Sequence, residues 1–190
     1  MECFFDAYVG NRMHHVIKEL ATALHAHWKR NIEKDYLAKN QPADTARPRN
    51  QPGFPPVNIN VPYGDLSPEW QLDNDRAAAI AFDVALKTFG DADVDEGAKA
   101  IHVEWMLRNP INDANSYNHI PYADLPDNEK AKDRVHVILA REHVASFVRE
   151  LYQVFPTCTH VMSLLRVAFE ISRPWTNVMC GCADATSMKT

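Results

Sequence analysis

Two stretches of this sequence, VPYGDLSPEWQLDNDR (61–76) and IPYADLPDNEKAKDR (120–134), share one pattern. Each contains Pro-Tyr near its start, continues with Asp-Leu, and ends with Asp-Arg. Proline holds the backbone before the helix in an extended conformation. In one stretch Ser67 is expected to cap a helix that begins at Pro68, and in the other Pro126 favours a helix start. The same loop-to-helix connection is therefore predicted twice in one chain.

The segments that precede the two stretches also match each other. ATALHAHWKRN (21–31) aligns without a gap against AKAIHVEWMLR (98–108), with histidine and tryptophan at the same places. The differences in length between the two copies fall in the loops, where insertions are tolerated. We therefore interpret the chain as an internal duplication of one helical unit. The paired residues include His25 with His102, Trp28 with Trp105, Tyr63 with Tyr122, and Asp75-Arg76 with Asp133-Arg134.

Apolar residues recur at helical spacing in five segments, and no segment alternates convincingly with a period of two. Any strands are therefore short and lie in the loops. We predict a mainly α fold, with two helix–loop–helix repeats related by a pseudo-twofold axis and an extra C-terminal helix. The predicted parts of this single compact domain (1–190) are repeat 1 at 13–89 with a proline-rich insertion at 40–62, repeat 2 at 94–155, a C-terminal helix at 158–173 and a tail at 174–190.

The spacing also predicts where each repeat has its helices and which residues these helices bury. The helices are expected at 13–38, 68–89, 94–108 and 126–152. On the second helix, Ala77, Ile80, Ala81, Val84 and Phe89 are expected to face inward. On the fourth helix, the inward residues are expected to be Val135, Ile138, Leu139, Ala145, Val148 and Leu151.

The composition is typical of a folded globular protein, since 46% of the residues are hydrophobic and 24% are charged. The net charge is −5, from 20 basic against 25 acidic residues, and no basic run is longer than a pair. The electrostatic footprint of a nucleic-acid binder is missing, so we expect no nucleic-acid partner. No segment approaches the roughly 18 apolar residues that a membrane span needs, so we expect no membrane association.

The first residues, MECFFDAYVG, lack both the positive start and the apolar stretch of a signal peptide, since Asp6 interrupts them. The cysteines are scattered or lie near the end of the sequence, unlike the framework of a small secreted domain. We therefore expect a cytoplasmic protein with free thiols. The four cysteines are Cys3, Cys158, Cys180 and Cys182.

The repeated pattern, A-x-x-[LI]-H-x-x-W followed by P-Y-x-x-L-P-x-x-E-K-x-x-D-R, resembles the ryanodine-receptor repeat family. Members of this family are paired cytosolic modules of calcium-release channels, and they also occur in smaller proteins. The second copy fits the pattern closely, whereas the first departs at Ser67-Pro68 and at Gln71-Leu72. The resemblance covers residues 13–153 and implies two repeats packed about a pseudo-twofold axis. Channel activity does not carry over, because this chain has neither the length nor the membrane spans of a channel.

The resemblance also implies a non-enzymatic binding module, whose ligand is a protein partner or a small molecule such as an adenine nucleotide. In the second case, aromatic rings would stack on the base and an arginine would meet the phosphate. We expect a monomer or a homodimer. The same residues also have a purely structural interpretation, which we favour, because a tryptophan anchor and an Asp-Arg pair both serve folding. The candidate ligand-binding residues are Trp28, Tyr63, Arg76, Trp105, Tyr122 and Arg134.

The alternative function is a small all-α enzyme, a hydrolase or transferase with acidic and histidine residues at the repeat interface. The sequence contains no nucleophile-elbow, zinc-protease or phosphate-loop motif. His136 and His143 share a helical face, but no third ligand lies at zinc spacing between them. The acidic residues of 91–96 lack the glycine and the distal glutamate of an EF-hand. We therefore expect no catalytic residue, no metal and no cofactor.

Overall fold

The computed structural model describes residues 2–39, 46–47, 57–89, 93–112 and 115–156, and these are mainly helical. The predicted mainly α class is therefore confirmed. The predicted C-terminal helix at 158–173, the tail at 174–190 and most of the insertion at 40–62 lie outside the described residues. The four helices within these ranges are α1 (Glu2–Ala38), α2 (Pro68–Lys87), α3 (Val94–Arg108) and α4 (Asp127–Val154).

The loops contain short ordered elements. A two-residue strand, β1 (Ala46–Arg47), pairs antiparallel with β2 (Val57–Asn58). Each Pro-Tyr element forms a turn of 3-10 helix, at Tyr63–Asp65 and at Tyr122–Asp124, just before α2 and α4. None of the helices in the described ranges combines the length and apolarity that a bilayer crossing requires.

The predicted helix starts are correct for α2 and α3, and the start of α4 differs by one residue. Pro68 occupies the first turn of α2 with Glu69 beside it, but the Ser67 side chain makes no capping hydrogen bond, contrary to our prediction. Extended backbone at Ser67 and the fixed φ of proline are sufficient to begin the helix. At α3, the carboxylate of Asp93 accepts the backbone N–H of Asp95 at 2.8 Å and caps the helix.

Helix α1 begins at Glu2 rather than at the predicted residue 13, because its first turns pack along α4. The guanidinium of Arg12 donates to both carboxylate oxygens of Glu150, at 2.8 and 2.7 Å. The Tyr8 hydroxyl also donates to Glu150, and its ring packs edge-on against Phe155 with centroids 5.4 Å apart. These tertiary contacts extend the helix beyond the segment with a regular apolar stripe.

Helices α2 and α4 pack on each other at the centre of the molecule, and α1 and α3 each pack on both of them. The core is therefore a four-helix arrangement in which the second helix of each predicted repeat is central. At one crossing the helices approach closely: a Cβ placed on Gly97 of α3 would lie 3.1 Å from both methyl groups of Val137 on α4. Glycine is needed there because a side chain would press on its neighbour.

Several predicted inward residues are correct and others are wrong. Ala81, Val84, Val148 and Leu151 are buried, whereas Ile138 is 46% exposed. The central helices contact three neighbours each, so a wider arc of their circumference is covered than one stripe predicts. The predicted Ile80, Phe89 and Leu139 are half-buried and pack against the core, whereas Ala77, Val135 and Ala145 are half-buried and are not among the core residues. Further buried residues that were not predicted are Ala78, Phe82 and Ala85 on α2, and Val137, Ala140, Val144 and Phe147 on α4.

Candidate functional site

A buried histidine in each predicted repeat connects the first helix to the Pro-Tyr loop. Nε2 of His25 donates to the carbonyl of Val61 at 2.8 Å, and Nε2 of His102 donates to the carbonyl of Ile120 at 2.9 Å. A carbonyl only accepts, so Nε2 carries the proton in both rings. The two side chains are 5% and 3% exposed, and each bond satisfies a loop carbonyl that precedes Pro-Tyr.

Each of these histidines also stacks on the tryptophan one turn later. The rings of His25 and Trp28 are 5.5 Å apart and inclined by 25°, and those of His102 and Trp105 are 6.0 Å apart and inclined by 14°. Trp105 also contacts the His119 ring at 5.3 Å. The two tryptophans are half-buried, so each covers a histidine and leaves part of its own ring at the surface.

The first tyrosine cluster consists of Lys18, Tyr63 and Asp75. The ammonium of Lys18 lies 2.5 Å from Oδ2 of Asp75, and the Tyr63 hydroxyl donates to Oδ1 of the same carboxylate, also at 2.5 Å. Lys18 also donates to the Tyr63 hydroxyl oxygen at 3.2 Å. The cluster thus joins α1, the Pro-Tyr turn and α2. Burial is the main cause that raises the pKa of Tyr63, and the hydrogen bond to Asp75 adds to it.

The second tyrosine cluster consists of Asp95, Tyr122 and Arg134, and its charges are reversed. The guanidinium of Arg134 donates to Oδ1 and Oδ2 of Asp95 at 2.5 and 2.9 Å, and the Tyr122 hydroxyl donates to Oδ1 at 2.9 Å. Hydrogen bonds from Arg134 and Tyr122 lower the pKa of Asp95 to about 2. Burial and the Asp95 carboxylate raise the pKa of Tyr122 to about 12. In this cluster the first helix of the unit, α3, supplies the anion Asp95, whereas in the first cluster α1 supplies the cation Lys18.

A buried imidazole–carboxylate pair lies behind the second tyrosine cluster. Nδ1 of His102 is 3.4 Å from Oδ2 of Asp133, and the two side chains are 4% and 14% exposed. Burial raises the pKa of Asp133 to about 6, against the opposing effect of His102, and Glu129 raises it further. Asp133 is thus a buried carboxyl whose pKa is raised, in contrast to the lowered pKa of Asp95 in the second tyrosine cluster. It is covered too well for a substrate to reach it in this conformation.

The six predicted ligand-binding residues lie in two groups rather than in one cleft. Trp28 and Tyr63 belong to the first unit, where Arg76 is exposed and takes no part in the tyrosine cluster. Trp105, Tyr122 and Arg134 belong to the second unit, and His102 and Asp95 connect them.

Two ionic partners, Lys18 and Asp95, were not predicted from the sequence, and the burial of Asp133 was not predicted either. Lys18 and Asp95 are paired by the alignment of 21–31 with 98–108 when it is extended towards the N-terminus. The two aligned residues have opposite charges, and each copy also contains an Asp-Arg pair that could bind either charge. This combination was the signal in the sequence that an ion pair forms in each copy. Neither residue belongs to the motif itself, so the motif alone does not identify them.

An open groove of about 660 Å³ runs between α2 and α3 on the outside of the molecule. Its floor is apolar, and charged side chains from both helices form its rim. The groove is therefore a shallow surface with an apolar base, unlike the enclosed pocket of a small-molecule site. The floor residues are Ala79, Ile80, Val84, Ala100 and Val103, and the rim residues are Asp83, Lys87, Glu96, Lys99 and Glu104.

Exposed aliphatic side chains extend this groove towards the start of α2 and the end of α3. Leu72 is 50%, Val103 is 45% and Leu107 is 73% exposed. The ion pair between Asp73 and Arg108, at 3.5 Å, places Leu72 and Leu107 at the same end of the groove. We call the surface formed by Leu72, Ile80, Ala100, Val103 and Leu107 the α2–α3 face. Several exposed aliphatic side chains on one side of two neighbouring helices are typical of a protein–protein contact.

The described residues contain no group of three or more His, Cys, Asp or Glu side chains placed to hold a metal ion. Nδ1 of His136 and Nδ1 of His143 each donate to a backbone carbonyl one turn earlier, at 2.9 and 2.8 Å.

A smaller groove of about 200 Å³ between α1 and α4 is lined mainly by polar side chains. Of these two grooves, the one between α2 and α3 is the larger and has the more apolar lining. Comparisons of the chain with protein-family models, with curated proteins and with solved structures found no match.

Proposed function

We propose that this chain is a cytoplasmic, non-enzymatic protein-binding module and that the α2–α3 face is its docking surface. The observation that carries the proposal is the combination of an apolar groove floor with Leu107, which is 73% exposed one turn after Val103 on α3. Leaving such a side chain in water forgoes on the order of 2 kcal/mol of burial energy. A partner that covers the face recovers this energy.

The module is proposed to consist of two ryanodine-receptor-type repeats produced by duplication. The support comes from contacts that recur at aligned positions. His25 and His102 bond the carbonyls of Val61 and Ile120, and each histidine stacks on the tryptophan one turn later. In both units a tyrosine hydroxyl also meets an ion pair between the first and the second helix.

The tyrosine clusters are assigned a structural role within this proposal. The hydroxyl of Tyr122 and the guanidinium of Arg134 are both engaged by Asp95, so binding of a phosphate by Arg134 would require breaking a bidentate pair. Tyr63 is engaged by Asp75 and Lys18 in the same way. The clusters hold each Pro-Tyr turn against its two helices, α1 and α2 in the first unit and α3 and α4 in the second.

Site-specific photo-crosslinking tests the proposal. The full chain carrying a photoreactive phenylalanine analogue in place of Val103 is irradiated in lysate of the source cells, and crosslinked proteins are identified by mass spectrometry. The same analogue in place of Leu37, which is 78% exposed on α1, serves as the control. A protein captured through position 103 and lost when Leu107→Glu is added supports the proposal. Equal capture from both positions, or none from position 103, contradicts it.

An adenine nucleotide is the second candidate ligand, and one observation favours it. Trp105 is half-buried beside His119, and Nε2 of that histidine is buried with no hydrogen-bond partner among the described residues. An adenine ring that stacks on Trp105 and displaces the cover of this nitrogen would supply an acceptor or donor for it. Thermal unfolding with ATP, AMP and cyclic nucleotides at millimolar concentration tests the idea. It is abandoned if none of them shifts the unfolding temperature of the wild type more than that of Trp105→Ala.

A further inference from the structure

Charged side chains of both signs lie along the rim of the α2–α3 face. Asp83 and Lys87 project from α2, and Glu96, Lys99 and Glu104 project from α3 along the rim of the groove. Arg76, one turn before the groove on α2, is exposed. Three cations and three anions therefore surround the apolar floor. A neutral rim with both signs on both helices does not select a strongly acidic or a strongly basic partner.

The levels of these charges along the groove follow from two contacts between the helices. Val84 lies beside Gly97, with a side-chain atom 3.6 Å from a Cβ built there, and Asp73 pairs with Arg108. Residue numbers fall along α2 as they rise along α3, so the helices are antiparallel. Lys87 is consequently level with Glu96, Asp83 with Lys99, and Arg76 with Glu104, each within about two residues or roughly 3 Å of helix rise. At every level the two helices carry opposite charges.

We propose that the partner on this face is a second copy of this chain, so that the protein forms a homodimer with its twofold axis along the α2–α3 groove. This inference rests on the proposed function and names its partner. A twofold axis in that direction places α2 of one copy over α3 of the second copy at the same level. Lys87 then meets Glu96 of the second copy, Asp83 meets Lys99, and Arg76 meets Glu104. Each pair occurs twice, once on either side of the axis.

The existing ion pairs on the rim do not oppose this arrangement. Lys87 pairs with Asp83 along the same helix and both side chains are more than half exposed, so the pair contributes little. The same is true of Lys99 and Glu96, which are 4.0 Å apart. Arg76 and Glu104 form no ion pair within the described part of the chain, and the dimer would supply one to each. The charges thus select a register, whereas the apolar floor supplies the stabilising burial.

The apolar residues fit the same register. Leu72 is at the end of the groove where Leu107 of the second copy would lie, since Asp73 and Arg108 define one level in each chain. Ile80 in the middle of the groove would meet Val103 of the second copy. Val103 and Leu107 lie one turn apart on α3 and present a stripe that the α3 core residues do not use. Two such stripes close over each other across the twofold axis.

Sedimentation velocity of the full chain at about 1 to about 100 µM tests the dimer directly. We expect a monomer–dimer equilibrium, and we expect Leu107→Glu to raise Kd by roughly 30-fold or more, since it places a charge in the apolar seam. Lys87→Glu alone should raise Kd by about tenfold, and Lys87→Glu combined with Glu96→Lys should return it to within about threefold of the wild type. Leu37→Glu is the control for added surface charge. Far-ultraviolet circular dichroism confirms that each variant is folded.

The outcomes separate this inference from the proposed function. Loss of the dimer in Leu107→Glu and its recovery in the double charge reversal support it. A wild type that stays monomeric at the highest concentration overturns it, as does a dimer that Leu107→Glu leaves intact. If position 103 crosslinks to a different protein, or to another segment of the same chain, the dimer is also overturned. The different protein would still uphold a protein-binding face, whereas no crosslink at all would reject both.

Discussion

Arg134 of α4 binds both carboxylate oxygens of Asp95 at the start of α3, although the two residues are far apart in the sequence. This pair holds the beginning of one helix against the next and receives the Tyr122 hydroxyl as a third member. In the first unit Lys18 and Asp75 form the equivalent connection with the charges exchanged. In both units an ion pair joins the first helix to the second, but the positive residue is on the first helix in one unit and on the second helix in the other. We infer that the link between the helices is required, whereas the sign of the charge on each helix is not.

The first prediction concerns the acid stability that Asp95 provides. The pKa of this carboxyl falls from 3.8 to about 2 on folding, so its stabilising effect is present above about pH 4 and is lost as the pH falls towards 2. In Asp95→Asn this part of the pH dependence should disappear. Urea unfolding between pH 2 and 5 measures it, with the exposed Asp124→Asn as the control. Identical acid limbs for Asp95→Asn and the wild type would contradict the assignment.

The second prediction has the opposite sign and concerns Asp133. Burial raises the pKa of its carboxyl from 3.8 to about 6, so the protonated form is favoured in the folded state. The corresponding stability is fully present below about pH 3.8 and is lost as the pH rises through 6. Asp133→Asn should therefore remove a fall in the free energy of unfolding between pH 4 and 6. Chemical denaturation over that range is the measurement, and Asp65→Asn, in the exposed turn before α2, is the matched control.

The third prediction is that the ion pair of the first tyrosine cluster can be reversed, so that the anion lies on α1 and the cation on α2. Lys18→Glu places two anions beside each other and should destabilise the protein by roughly 0.5–1 kcal/mol, a modest cost because Lys18 is 41% exposed. Adding Asp75→Arg reproduces the polarity of Asp95 and Arg134. The double variant should recover at least half of the loss, as a double-mutant cycle by urea denaturation would show. Additive losses would mean that packing around Tyr63 depends on the native sign.

The fourth prediction separates the two apolar stripes of α3. Ile101 is 6% exposed and Leu107 is 73% exposed. Ile101→Ala should therefore cost about 2–4 kcal/mol of unfolding free energy, whereas Leu107→Ala should change it by less than about 0.5 kcal/mol. Thermal and urea unfolding at low protein concentration, where no dimer contributes, make the comparison. A large cost for Leu107→Ala would show that this side chain belongs to the core and would remove the basis of the α2–α3 face.

Much of the local structure was predictable because its causes are local. Proline at the start of α2 and before α4, and the acidic residues of the first turns, define helix starts without help from the rest of the chain. The span of α3, from Val94 to Arg108, follows from its aspartate cap and from Pro110 just beyond its end. The N-terminal extension of α1 was missed, since it depends on Glu150 at the far end of the sequence.

The aromatic and Asp-Arg residues of the site were recognised, but their partners were not. The pattern identified Tyr122 and Arg134, whereas Asp95 lies outside the repeated motif and reaches them only through packing of α3 on α4. Arg76 matches Arg134 in the alignment and yet is exposed, because Asp75 rather than Arg76 pairs with the first helix. The sequence pattern therefore predicts that an Asp-Arg pair occurs in both units, but it does not predict which of the two adjacent residues forms the ion pair with the first helix.

The sequence by itself determined the helical class, the positions of α2, α3 and α4 and the recurrence of the Pro-Tyr turns, because these depend on backbone preferences and on short-range periodicity. Only the tertiary structure decided which side of each helix is covered. Ile138 and Val137 are adjacent and similarly apolar, yet one is 46% exposed and the other fully buried. The difference arises from the direction in which neighbouring helices approach, which no single helix encodes. For the same reason Leu107 on α3 becomes an exposed surface residue rather than part of the core.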